Sequence, residues 1–194
     1  MDIFAAIEAG DSDQVHAIVA GDPSAAAARN EAGLSAVLAA LYRHDLDAVR
    51  AILAANPPLD LFDAAAVGDS SRLAELLDAD PAQVNTHAAD GHFPLGLAAY
   101  FGRPHAVRVL LERGADVGQV APNPMQVQAL HAAVAGRSTE AVRLLLEAGA
   151  DPNAVQQGGY TPLMAAEQHG DQTLIDVLVA HGAHASSGNR PTTS

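Results

Sequence analysis

The chain has 194 residues, 49% hydrophobic and 4% aromatic, which is enough for one sizeable domain and short of two. It contains no cysteine, so a disulfide framework and a thiolate metal site are both excluded. The formal charge of −13 argues against DNA or an anionic membrane as partner, since phosphate binding needs clustered positive charge, and it favours encounter with a basic partner.

The N-terminal stretch Met1-Asp2-Ile3-Phe4-Ala5-Ala6 has no basic segment and is followed by Glu8 and Asp11, unlike a signal peptide. Apolar runs fall far below the roughly 18 residues of a membrane span. A cytoplasmic protein is expected. All ten basic residues are arginine, in an alanine-rich, lysine-free chain, a usage that points to a GC-rich bacterial coding sequence.

An apolar position returns along the chain at Ile3, Val37, Leu61, Leu95, Leu130 and Leu163, in steps of 34, 24, 34, 35 and 33 residues by subtraction. A near-constant step of about 33 marks a helical repeat array. The fourth copy shows the local logic. Asp90-Gly91 suits a hairpin tip. Pro94-Leu95 opens a helix whose Leu95, Ala98 and Ala99 form one apolar stripe. Gly102 ends it, Arg103-Pro104 starts a second helix striped by Val107, Leu110 and Leu111, and Gly114 closes that helix. Neither stripe can be buried by one unit alone, so neighbours must stack.

Two steps depart from the period. Between Val37 and Leu61 about nine residues are missing, and Asn56-Pro57-Pro58 stands where a hairpin belongs. A direct helix-to-helix joint and a gap in the row of hairpin fingers are expected there. Between Leu95 and Leu130 the finger Val117–Val127 is about two residues longer than usual.

The pattern resembles the ankyrin repeat family. Thr161-Pro162-Leu163, Leu130-His131-Ala132-Ala133, Leu144-Leu145-Leu146 and Gly149-Ala150-Asp151-Pro152-Asn153-Ala154 carry the resemblance, with Gly114-Ala115-Asp116-Val117 and Asn85. It implies an all-α solenoid of stacked helix-turn-helix units with short β-hairpin loops. One domain over residues 1–184 is expected, in six repeats at about 1–29, 30–56, 57–88, 89–121, 122–155 and 156–184. Residues 185–194, rich in Ser, Thr, Gly and Asn, are expected to form a disordered tail.

The resemblance also implies protein binding through the concave face of the first helices and the hairpin tips. The residues just before each inter-helix turn then become candidates: Tyr42, Arg43, Tyr100, Phe101, Gln168 and His169. Phe93 and Tyr160, at hairpin-to-helix entries, extend the patch, and Pro122, Asn123 and Met125 of the long finger clamp from one side. Aromatics and arginine are frequent interface anchors. A non-catalytic adaptor or scaffold is expected, with an inhibitor or immunity-type antidote against a basic toxin or enzyme as the alternative. A monomer is expected, or a homodimer through the apolar last helix Leu174–Val179.

The remaining features carry structural readings. His131 stands at the family's core histidine, which implies a bond from helix to hairpin. His87 and His92 flank one hairpin and can in principle meet across it. Arg108 and Arg143 precede Glu112 and Glu147 at i+4, which predicts local pairing. Asp11, Asp45, Asp69 and Asp171 are expected to cap helices. No GxSxG, Walker-type loop or HExxH spacing occurs, so neither an enzyme nor a cofactor or metal is expected.

Overall fold

The computed structural model describes residues 2–88 and 90–185, so most of the expected tail lies outside the described residues. The elements there are α-helices and short 3-10 turns. In order, the α-helices are α1 (Ile3–Ala9), α2 (Ser12–Gly21), α3 (Ala36–Tyr42), α4 (Leu46–Ala54), α5 (Leu61–Val67), α6 (Ser70–Ala79), α7 (Pro94–Tyr100), α8 (Pro104–Glu112), α9 (Ala129–Ala135), α10 (Thr139–Glu147), α11 (Pro162–Gln168) and α12 (Gln172–Ala180). Helices of seven to ten residues are too short to persist alone in water, so stacking must hold them.

Odd-numbered helices pack on one another in one layer and even-numbered helices form a second layer beside it. The core between them is built from small and branched residues, among them Ala6, Ile7, Ile52, Leu73, Ala98, Leu110, Leu145 and Leu178, each at most 1% exposed. Alanine at the contact lets short helices approach closely. The apolar stripes of α7 and α8 fall largely where the spacing puts them: Leu95, Ala98, Ala99, Val107 and Leu110 are all fully buried, while Leu111 is half-buried against the core.

Turn geometry repeats with the period. The residue seven after each aligned apolar position is left-handed: Gly10, His44, Gly68, Gly102, Arg137 and Gly170 have φ of 68°, 56°, 87°, 63°, 54° and 63°. Asp11, Asp45, Asp69 and Asp171 then cap the second helices, each accepting from a backbone amide three residues on. Arg137 carries the left-handed backbone in its turn, whereas the preceding Gly136 is helical, with φ −77°.

The fingers between units are slighter than the resemblance implies. Isolated antiparallel bridges join Arg29 to Ser35 and Val120 to Gln128, with no extended ladder among the described residues. At the short step the chain crosses from α4 to α5 through Ala55–Asp60 with no finger. Stacking is thinnest there. The outer helices α4 and α6 barely touch, although other neighbours in that layer pack closely.

The expected pairs Arg108–Glu112 and Arg143–Glu147 do not form among the described residues; the ion pairs run mostly between units instead. Arg113 reaches back to Asp78 at 2.6 Å and to the Ala74 carbonyl, and Arg137 reaches forward to Asp171 at 3.3 Å. An exposed arginine and glutamate at i+4 gain little from pairing in water, which leaves Arg108 and Arg143 solvated.

Candidate functional site

Tyr42 closes α3, and its ring crosses over the small residues of α5 to reach the next unit. It lies 5.6 Å from the Phe101 ring and 5.9 Å from His92, centroid to centroid. Its hydroxyl donates to Asp90 Oδ2 at 3.1 Å. That span is open because Ala64, Ala65 and Ala66 of α5 are small and no finger follows α4. Burial, and next the Asp90 carboxylate, push the Tyr42 phenol far above its ordinary range, so it stays a neutral donor. Tyr100 packs edge-on against Phe101 at 5.0 Å.

These rings are half-buried and bind the stack together as well as facing outward. Phe93 is different. It is 2% exposed, a core residue rather than the accessible anchor expected of it. The cause is Gly96: a Cβ there would stand 3.2 Å from the Phe93 ring, so the missing side chain makes room for it. The two histidines of this finger do not meet as ligands. His87 turns to Phe93 and Gln119, while His92 packs on Tyr42.

Two open cavities flank Tyr42 and His92. The first, about 400 Å³, is a mainly apolar groove between α7 and the long finger, floored by Phe93, Leu97, Val127 and Ala132 and overhung by Tyr100 and Met125. Met125 is 53% exposed at the tip. The finger is locked at its base by the Ala121–Val127 bond and at its tip by Asn123, whose side chain accepts from the Met125 amide. Pro122 and Asn123 lean on Gly91 of the preceding finger, and the Met125 carbonyl accepts from Gln157 of the next. The second cavity, about 440 Å³, occupies the gap left by the missing finger; Tyr42 and His92 line both.

Arg43, Gln168 and His169 are exposed and line neither cavity; Tyr160 is half-buried and packs over Gly158. The structure thus gathers Tyr42, Tyr100, Phe101 and Met125, and leaves Gln168 and His169 apart.

Below the gap lies a polar cluster that the sequence reading missed. Asp63 is 3% exposed in the first turn of α5. It accepts from the Ser35 hydroxyl and from Arg29 at 3.3 Å, and the same guanidinium binds Asp60 at 2.7 Å. Burial raises the Asp63 pKa, and the Ser35 bond counters that. One sequence signal existed: the positions equivalent to Asp63 in the other copies are Ala5, Ala39, Leu97, Ala132 and Ala165, all apolar.

His131 is 5% exposed and its Nε2 lies 3.1 Å from the Ala154 carbonyl, tying α9 to the following loop. Burial lowers its pKa, with the Ala154 and Tyr160 carbonyls opposing. The unfolded ring takes a proton near pH 6.5, while the folded ring resists it to lower pH. The stabilisation is therefore complete above about pH 6.5 and falls as the pH drops below it. We expect His131→Asn to shrink the loss of melting temperature between pH 7.5 and 5. An unchanged loss would show that other groups govern it.

A two-layered array of helix pairs with an apolar groove beside its fingers defines a repeat solenoid of the binding type. A family model for ankyrin repeats in three copies matches residues 61–156 and 128–189, more than half of the chain. The chain belongs to the ankyrin repeat family. It is similar to the human Neurogenic locus notch homolog protein 4, 38% identical over 91 residues, covering 46% of this chain and 4% of the relative. An ankyrin repeat, SAM and basic leucine zipper domain-containing protein of Ornithorhynchus anatinus is 36% identical over 119 residues, covering 59% and 24%. An ankyrin repeat and KH domain-containing protein of Caenorhabditis briggsae is 34% identical over 98 residues, covering 49% and 4%. The chain spans a quarter or less of these relatives' length. No described helix is long and apolar enough to cross a membrane.

Proposed function

We propose that this chain is a non-catalytic interaction module that binds a partner protein in the groove between α7 and the long finger. The observation that carries the reading is the 400 Å³ apolar groove, with half-buried Tyr100 on one side and exposed Met125 on the other. Aromatic side chains beside such pockets tend to become the energetic centre of an interface. Fingers locked by Asn123 and by bonds to their neighbours lose little entropy on binding. The charge of −13 supports a basic partner. In this reading the six helix pairs act as one domain over residues 1–184, as a monomer. Val179 on α12, 51% exposed, is where a second copy would dock.

The test is capture from lysate of the source cells by the wild type and by the double variant Tyr100→Ala/Met125→Glu. A partner held by the first and lost by the second, with the melting temperature of the variant within a few degrees, supports the groove. Equal retention sinks it. The captured partner's activity, measured with and without the module, separates an adaptor from an inhibitor.

A further inference from the structure

The missing finger leaves a slot that belongs to this chain rather than to the regular repeat. In the short step, Asn56-Pro57-Pro58 takes a low route near the base of the first finger, where Pro57, Pro58, Leu59 and Ser35 enclose only about 10 Å³. Above that route the finger at Arg29–Ser35 faces the finger around Asp90 across about 440 Å³. The floor is apolar, made by Leu34, Leu38 and Phe62 with the Tyr42 ring as end wall. The rim at Asp90 is acidic. Among the described residues Asp90 accepts from the Tyr42 hydroxyl and the His92 amide and enters no ion pair; Glu31, an exposed chain neighbour of the lining residues Asn30 and Ala32, also enters none. Among the described residues the one arginine lining the slot, Arg29, is paired with Asp60 and Asp63.

We propose that this slot takes an extended basic segment of a partner protein, which fills the place of the absent finger. In an extended chain alternate side chains point to opposite sides. Aliphatic residues then settle on Leu34, Leu38 and Phe62 while an intervening arginine meets Asp90. A guanidinium at Asp90 also lies beside the Tyr42 and His92 rings, where a cation over an aromatic face is attracted further. An acidic or purely apolar segment finds the same floor but leaves Asp90 without a counter-charge. The inference rests on the reading of the chain as an interaction module and adds a second subsite to it, separate from the Met125 groove.

The probe is an acetylated and amidated heptapeptide of sequence SRLRLRS, titrated into the labelled protein at physiological salt and followed by amide chemical shifts. Shifts are expected to centre on Asn30–Leu34, Leu38, Phe62 and His92. Asp90→Asn is expected to weaken binding about tenfold, the scale of one charge-assisted contact. Ala32→Trp, which fills the slot from an exposed position, is expected to abolish it, and the SELELES peptide is expected not to bind. Binding that is indifferent to both variants, shifts scattered over the acidic surface, or no binding at millimolar peptide each overturns the slot. The interaction-module reading is judged apart, by the Tyr100→Ala/Met125→Glu capture. A failed slot with a successful capture leaves that reading standing, and a filled slot with a failed capture leaves only the second subsite.

Discussion

Gly136→Ala is expected to destabilise the protein by more than about 3 kcal/mol, the upper end of what overpacking costs. A Cβ at Gly136 would stand 1.9 Å from the Tyr100 carbonyl oxygen and 2.7 Å from its carbon. Both are backbone atoms, so no rotamer change relieves the clash. The two helices involved, α7 and α9, are the most closely packed pair in the stack, so displacement of one moves its whole unit. Because φ at this residue is −77°, alanine suffers no local backbone penalty; the entire effect is steric and tertiary. Chemical denaturation of the purified variant measures it. A change below 1 kcal/mol would mean that α7 and α9 separate more freely than the structure indicates.

Ser35→Ala should cost about 2–3 kcal/mol, by removing two bonds with one atom. The Ser35 hydroxyl oxygen accepts from the Leu38 amide at the start of α3 and its proton goes to buried Asp63. Loss of the cap accounts for about 1 kcal/mol, and loss of a charge-assisted donor to a buried carboxylate for the rest. The variant should also change the pH profile. The folded pKa of Asp63 is already raised by burial, so its ionised form is disfavoured by the fold. Its contribution is favourable below the ordinary carboxylate range, and stability is lost as pH rises through the folded value. Without Ser35 the folded pKa moves further up, so the penalty extends to higher pH. Denaturation of Ser35→Ala at pH 5 and 7.5 reads this directly: the deficit against wild type should be larger at pH 7.5. An equal deficit at both would restrict Ser35 to capping.

This network sits beneath the joint where a finger is absent and the outer helices hardly touch. Arg29 and Ser35 belong to the first finger, Asp60 and Asp63 to the next helix. The bonds that adjacent fingers otherwise supply, such as Gln157 to Met125, are here replaced by ionic ones below the slot. The same deletion lets Tyr42 reach across α5 to Phe101 and His92, so that one shortened step creates the slot, its aromatic wall and the polar link under it.

The helices, their caps and their stripes were legible in the chain because each depends on residues within a turn or two. Proline or aspartate at the start, an i, i+3, i+4 set of apolar positions and a left-handed residue at the end act locally. The irregular step was legible too, since a deletion shifts the period wherever it occurs. Phe93 was misread as exposed because its burial depends on Gly96 leaving space, a fact of packing rather than of polarity. The ion pairs expected at i+4 do not form among the described residues, while Arg29, Arg113 and Arg137 pair between units, which spacing along one helix cannot show.

By itself, then, the sequence determined the repeat, the family and the place where a finger is lost, all of them consequences of short-range periodicity. Only the tertiary structure decided that Gly136 must lack a Cβ, that Asp63 is a buried link and that Tyr42 spans a gap. Each of these turns on atoms brought together from separate repeats, and stacking distance is written in no single repeat.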